Sequence, residues 1–478
     1  MGLTLDTDAW DISEADWDVA QRRLVEDLRA LIRIPSVNPP EPPGGDGELR
    51  AARWIAAALT EAGLRPEVVE PFPGRGSVVA RLHGDGTGGE PLLLLSHLDV
   101  VPAPPDGWTH DPFGGDVADG SIWGRGAVDM KDLIAMELAV VRLLGERARA
   151  AGLDPTTDPI PGLRRDILFA STADEEAGGH QGIGWIVEHH PEWLQAAGAL
   201  NESGGFSVDV GGSRLYPIQV AEKGFAVYRI TVHGTWGHGS MPRPDNAAVV
   251  AARAIARLSV PGAPRITAPM ARFMEVLAAR LPAEVSGALQ AAALGDAGSR
   301  SSPGDGPIEE QTVRALQALF RDTITVGVVR AGVKYNVIPG LATIEIDCRV
   351  LPGTDEATMR ADVMARLGDD LAAVCDVELV IFGEPVESSA ETPLYRVLAE
   401  TIVAHDPNGI PVPTMMPFAT DAKHLVNLGV PCYGFSPLQM QPDERYFERF
   451  HGVDERISLA ALRWGLPVLY DAVRRFCG

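Results

Sequence analysis

The chain has 478 residues, 45% hydrophobic and 22% charged, the balance of a globular protein long enough for two domains. A formal charge of −24 disfavours nucleic acid and anionic membrane surfaces as partners. Cys348, Cys375, Cys432 and Cys477 lack CxxC spacing, which argues against a disulfide framework or a thiolate zinc site and suits a reducing cytoplasm. Met1 to Asp18 carries five Asp, one Glu and no basic residue, unlike a signal peptide. No apolar run approaches the roughly 18 residues of a membrane span.

From Glu14 to Arg33, Trp17, Leu24, Leu28, Leu31 and Ile32 recur at helical spacing. Ile34-Pro35-Ser36-Val37-Asn38-Pro39-Pro40 stops that helix, because proline lacks a donor and restrains its predecessor. A Gly/Pro-rich loop runs to Gly47, and a second helix, Glu48 to Ala62, is closed by Gly63. Short strands fit Arg65–Val69 and Ser77–Leu82. Leu92-Leu93-Leu94-Leu95 then reads as a strand buried on both faces. A helix near Met130–Arg149, a strand Asp166–Ser171, a helix near Gly182–His190 and a strand leading to Asn201-Glu202 continue the alternation. Such alternation predicts an α/β fold, a mostly parallel sheet flanked by helices.

The character changes after Gly211-Gly212. Phe225–His233 alternates apolar and polar residues, as a half-buried strand does. A helix from about Asp245 to Leu258 follows, then a mostly helical stretch, Thr267 to Arg321, broken by the polar loop Gly295–Gly306. Strands Ile324–Val329 and Leu341–Val350, the helix Asp355–Leu367 and the strand Val377–Phe382 complete a small α+β unit. Leu394–Ala404, Val430–Phe435 and Ile457–Phe476 return to the first style. The predicted organisation is a first domain in two parts, 1–216 and 386–478, with an α+β domain inserted at 217–385.

Chemistry concentrates where the strands end. His97 and Asp99, two apart on an extended segment, point the same way at the carboxyl end of the leucine strand, where ligands collect in open α/β sheets. Alone, the pair also fits a core histidine and a turn-capping aspartate. Asp129 follows Gly124-Arg125-Gly126 and precedes a helix, where it also suits a cap. Asp174-Glu175-Glu176 repel one another unless something positive holds them. With Glu202 and the late His451, the set suits two divalent ions of the zinc type sharing a bridging carboxylate, and leaves a spare carboxylate to take a proton from water.

The ordered segments Ser96-His97-Leu98-Asp99, Gly124-Arg125-Gly126 through Asp129-Met130-Lys131, Asp174-Glu175-Glu176 with Gly178-Gly179, Asn201-Glu202, Gly237-His238-Gly239-Ser240 and His451 resemble the M20 family of dinuclear zinc amidohydrolases and peptidases, which includes aminoacylase, acetylornithine deacetylase and glutamate carboxypeptidase. The resemblance spans nearly the whole chain. It implies a zinc-peptidase-like catalytic domain and a lid or dimerisation domain. It implies that Asp129 bridges two metals, that His97 and Glu202 complete one ion's ligands, and that Glu176 and His451 complete the other's. Asp99 would orient His97, and Glu175 would be the general base. The peptide bond after Asp129 is implied to be cis.

The same resemblance gives the inserted domain a role. The residue matching His238 stabilises the oxyanion, often across a dimer interface, and amide hydrolysis needs such a donor. Arg349, in Cys348-Arg349-Val350-Leu351-Pro352-Gly353, matches a carboxylate-binding arginine, and Asn336, in Tyr335-Asn336-Val337-Ile338-Pro339-Gly340, is a further substrate or oxyanion candidate. Two departures stand out. Pro417-Phe418-Ala419 precedes Thr420-Asp421 where the family often has a glycine-rich run, and extra helices lengthen the insert. The expected function is metal-dependent hydrolysis of N-acyl amino acids or small peptides with a free carboxylate, with Zn2+, or Co2+ or Mn2+, and a homodimer through the insert. The alternatives are a dipeptidase or aminopeptidase of the same family, and a non-catalytic binding protein on the same fold.

Overall fold

The computed structural model describes residues 12–39, 45–295, 310–441, 444 and 446–478. The acidic stretch up to Asp11, the heart of the predicted Gly/Pro loop (40–44) and residues 296–306 of the predicted polar loop lie outside the described residues. The chain forms two compact units. The larger comprises Met1–Val220, Ser388–Pro413 and Thr420–Gly478; the smaller comprises Ala221–Glu387 and Thr414–Ala419. Among the described residues no helix is long and apolar enough to cross a membrane.

In the larger unit, Leu92–His97 lies between Ile167–Thr172 and Gly198–Asn201, parallel to both, and Cys432–Gly434 extends the parallel run. All four leucines have no exposed surface. Leu93 and Leu95 pack with Ile183 and Ile186 of the helix Ile183–His189. The long helices Lys131–Ala150 and Leu459–Cys477 also pack against the leucine strand.

The α/β class holds, with helices flanking a mixed sheet. The central strands pair in parallel. Arg75–Leu82 runs antiparallel to Ile167–Thr172, and Glu67–Phe72 antiparallel to Arg75–Leu82. A parallel neighbour needs a crossover long enough for a helix, and the turn from Phe72 to Arg75 has room only for a hairpin. His97 and Thr172 end their strands opposite one another, and Asn201 ends the third strand two residues short of them.

The smaller unit holds a four-stranded antiparallel sheet in the order Thr323–Ala331, Leu341–Val350, Gly224–His233, Cys375–Gly383. Burial alternates along Gly224–His233, so Tyr228, Ile230 and Val232 face a core shared with the helices Ala247–Leu258 and Glu356–Ala372. Gly237–His238 pairs with Val337–Ile338 in a short ribbon. Among the described residues, the lengthened part of the insert forms three helices, Ala268–Arg280, Ala283–Leu294 and Glu310–Leu319.

Candidate metal centre

Parallel strands that end close to one another bring distant residues of the larger unit together. His97 ends its strand, Glu175 and Glu176 occupy a tight turn three residues beyond Thr172, and Glu202 follows Asn201. Asp129 sits before the helix Lys131–Ala150, and the Asp129–Met130 peptide bond is cis. His451 takes a left-handed backbone, φ 58°.

Two groups of potential ligand atoms result, each with its atoms within 4.8 Å of one another: His97, Glu175 and Glu202; and Asp129, Glu176 and His451. Asp129 joins them. Its Oδ1 lies 3.2 Å from His97 Nε2 and its Oδ2 lies 3.2 Å from His451 Nε2. Glu202 Oε1 is 3.6 Å from His97 Nε2, and Glu176 Oε2 is 3.3 Å from His451 Nε2.

The tautomer of His97 suits a ligand. Its Nδ1 lies 3.0 Å from the main-chain oxygen of Asp99, a group that can only accept, so Nδ1 donates and Nε2 turns to the carboxylates. The Asp99 carboxylate, 3.6 Å from Nδ1, is too far for a good hydrogen bond to the ring. It accepts instead from the backbone N–H groups of Glu175 (3.1 Å) and Glu176 (3.0 Å). Asp99 therefore orients His97 through its carbonyl, and the glutamate turn through its side chain.

Electrostatics asks for positive charge here. Burial opposes charge on His97, yet Asp129, Asp99, Glu202 and Glu175 outweigh it and hold its pKa well above the ordinary range. Hydrogen bonds to Asp129 and Glu176 push His451 up to about 10. Burial resists ionisation of Asp129, but the two histidines prevail and hold it low. Burial raises Glu175 well above the carboxylate range, against the opposing pull of Lys423, whose Nζ lies 3.8 Å from Glu175 Oε1. Glu176 Oε1 is buried with no hydrogen-bond partner. An orphaned carboxylate oxygen among carboxylates and two imidazoles fits divalent cations with N and O donors.

The remaining predicted residues lie in the smaller unit. His238 and Asn336 are brought together: the Gly239 N–H donates to the Asn336 carbonyl at 2.8 Å, and His238 pairs with Val337. The His238 Nδ1 accepts from the Ser240 backbone N–H at 3.2 Å, which leaves Nε2–H as an outward donor. Arg349 is at the far end of the strand Leu341–Val350 and forks onto Asp347 at 2.8 and 3.0 Å. Eight residues of strand put it roughly 25 Å from the His238 ribbon.

Sequence reasoning missed Lys423, whose only signal is its place two residues after Asp421. It also missed Asp421 itself as a neighbour of the site, bonded by the Thr172 hydroxyl at 2.8 Å.

Residues 93–475 match the model of peptidase family M20/M25/M40. This chain belongs to that family. The M20 chain is 29% identical over 455 residues to the N-fatty-acyl-amino acid synthase/hydrolase PM20D1 of Xenopus tropicalis, covering 92% of this chain and 83% of that protein. It is 30% identical over 404 residues to a probable carboxypeptidase S-like 2 of Dictyostelium discoideum, covering 80% and 71%. The fold matches an M20 family metallo-carboxypeptidase from Sulfolobus solfataricus at a TM-score of 0.68 and 16% identity, over 95% and 99% of the two chains. This M20 member is an enzyme, a hydrolase of the family that contains these relatives.

Proposed function

We propose that this M20 enzyme hydrolyses the amide bond of N-acyl amino acids or small peptides that carry a free carboxylate. The observation that carries the reading is the Asp129 carboxylate, one oxygen toward His97 and the other toward His451, with Glu175 beside the first. His97, Asp129 and Glu202 would hold one divalent cation; Asp129, Glu176 and His451 the other. The N and O donors favour zinc, with cobalt or manganese as substitutes. When bound, the pair supplies Lewis-acid polarisation of the scissile carbonyl and of a water molecule.

Glu175 takes a proton from that water as its oxygen attacks the carbonyl carbon. It then delivers the proton to the departing nitrogen as the C–N bond breaks, so no proton is left over. Lys423 places its Nζ 3.8 Å from that carboxylate. His238, with Nε2–H free to donate, stabilises the oxyanion, and in this reading it comes from a second copy of the chain. Arg349 binds the substrate's carboxylate end, and Asn336, which lies beside His238, joins that histidine at the oxyanion end.

The similarity to a synthase/hydrolase of N-fatty-acyl amino acids supports N-acyl substrates over unblocked dipeptides. The four cysteines are buried and outside any disulfide, which supports a cytoplasmic setting. The test is a panel of N-acyl amino acids of increasing acyl length against unblocked dipeptides, with the metal-reconstituted protein. Faster turnover of N-acyl substrates is expected. Preference for unblocked dipeptides would make the enzyme a dipeptidase, and protein that retains no divalent metal and hydrolyses nothing would end the enzymatic reading.

A further inference from the structure

Adjacent glutamates that must serve different groups need a turn of fixed shape. The backbone around Glu175 and Glu176 is held at three consecutive N–H groups. Asp174 N–H donates to Glu48 Oε1 at 2.9 Å, while Glu175 and Glu176 donate to the two oxygens of Asp99. Asp174 is left-handed, φ 74°, a conformation that needs such support in a residue with a side chain. The two accepting carboxylates, Glu48 and Asp99, are themselves linked. Arg75 Nη1 bonds both oxygens of Glu48 at 2.7 Å, and Arg75 Nη2 donates to the Asn38 side-chain oxygen at 2.8 Å. The Asn38 amide then donates to Asp99 Oδ2 at 2.7 Å.

The result is a closed circuit of hydrogen bonds: Glu48, Arg75, Asn38, Asp99, the 174–176 backbone and back to Glu48. Its side chains and Asp174 are buried, Asn38 3% exposed, Glu48 2%, Arg75 9%, Asp99 0% and Asp174 2%, and Glu175 and Glu176 are partly buried. Local backbone seats it. A Cβ on Gly47 would lie 2.3 Å from the Pro35 carbonyl oxygen, so only glycine lets the helix carrying Glu48 approach the segment carrying Asn38 this closely.

We propose that Asn38 and Arg75 are positioning residues that fix, through Asp99 and the Asp174–Glu176 turn, which glutamate faces which half of the metal centre. Their hydrogen bonds run to Glu48, Asp99 and each other rather than to a proposed ligand atom. Arginine's planar fork spans Glu48 and Asn38 at once, which a lysine could not do. Asparagine passes the link on, accepting from the guanidinium and donating to the carboxylate. The inference rests on the metal reading given above and adds to it the residues that divide Glu175 from Glu176.

The experiment compares Asn38→Ala and Arg75→Met with the parent enzyme, using visible-absorbance titration with Co2+ and steady-state kinetics on an N-acyl amino acid. Asn38→Ala leaves the Arg75–Glu48 pair intact, and circular dichroism verifies that it folds. Both variants are expected to bind Co2+ about 10–100-fold more weakly, with altered absorbance bands, and to lose kcat about 10–100-fold with KM within about threefold. Parent-like titration and kcat in both variants would overturn the proposal. So would an impaired Arg75→Met beside a parent-like Asn38→Ala, because the link would not then run through Asn38. A parent that binds no Co2+ would instead mark a failure of the metal reading itself.

Discussion

Glu175 and Glu176 are consecutive in the chain, yet their carboxylates belong to different groups, Glu175 with His97 and Glu202, Glu176 with Asp129 and His451. In the proposed mechanism, one turn divides proton transfer from ligation. Glu175→Gln is expected to lower kcat by about 10²–10⁴-fold while the protein still binds two ions per chain. Metal analysis beside kinetics checks it. Loss of one ion along with activity would show Glu175 to be a ligand rather than the base.

If His238 acts on a second copy's site, two dead variants should rescue each other. Glu175→Gln and His238→Ala, each inactive alone, are expected to recover about a quarter of wild-type activity after co-refolding at equal amounts. Half of the dimers are then mixed, and each mixed dimer has one complete site. No recovery, despite mixed dimers shown by mass spectrometry, would place His238 in the same chain as the site it serves.

Leu94 has no exposed surface in the strand that carries His97. Leu94→Ala is expected to destabilise the larger unit by about 2–5 kcal/mol, the transfer of the lost methyl groups plus the cavity left behind. Urea unfolding, followed by a probe in that unit, measures it. A loss under about 1 kcal/mol would mean that the neighbouring helices close the gap.

Much of this was legible before any coordinates. The run Leu92–Leu95 could only be a strand covered on both faces, and abrupt polar residues at strand ends marked the centre. Strand direction at the flanks was not legible, because Glu67–Phe72 shows the same composition whichever way it pairs. The strands Ser213–Glu222 and Ile410–Met416 escaped because prolines and polar residues interrupt their pattern. Asn38, Glu48 and Arg75 carried no signal either. They lie far apart in sequence from Asp174, and only the folding of the chain joins them to the turn it begins.

Acid stability should depend on Asp471. Burial acts to raise its pKa, but His405, Arg475 and Arg474 hold the carboxyl well below the ordinary range. A depressed folded pKa stabilises fully above the unfolded value of about 3.9 and ceases to stabilise as pH falls through the folded value. The stability gap between wild type and Asp471→Asn is therefore expected to shrink as pH falls below about 4. Thermal midpoints above and below that pH decide it, and a gap that widens in acid would contradict the sign.

The two histidines of the centre differ in access. The side chain of His97 is 2% exposed and that of His451 is 54% exposed. A chelator therefore meets an open door at one ion and a closed one at the other. Stripping is expected to be biphasic, with the His451 ion leaving first and a half-loaded enzyme persisting between the phases. Such a species would let a cell's supply of free metal set activity by degrees through the looser ion, while the inner one stays resident.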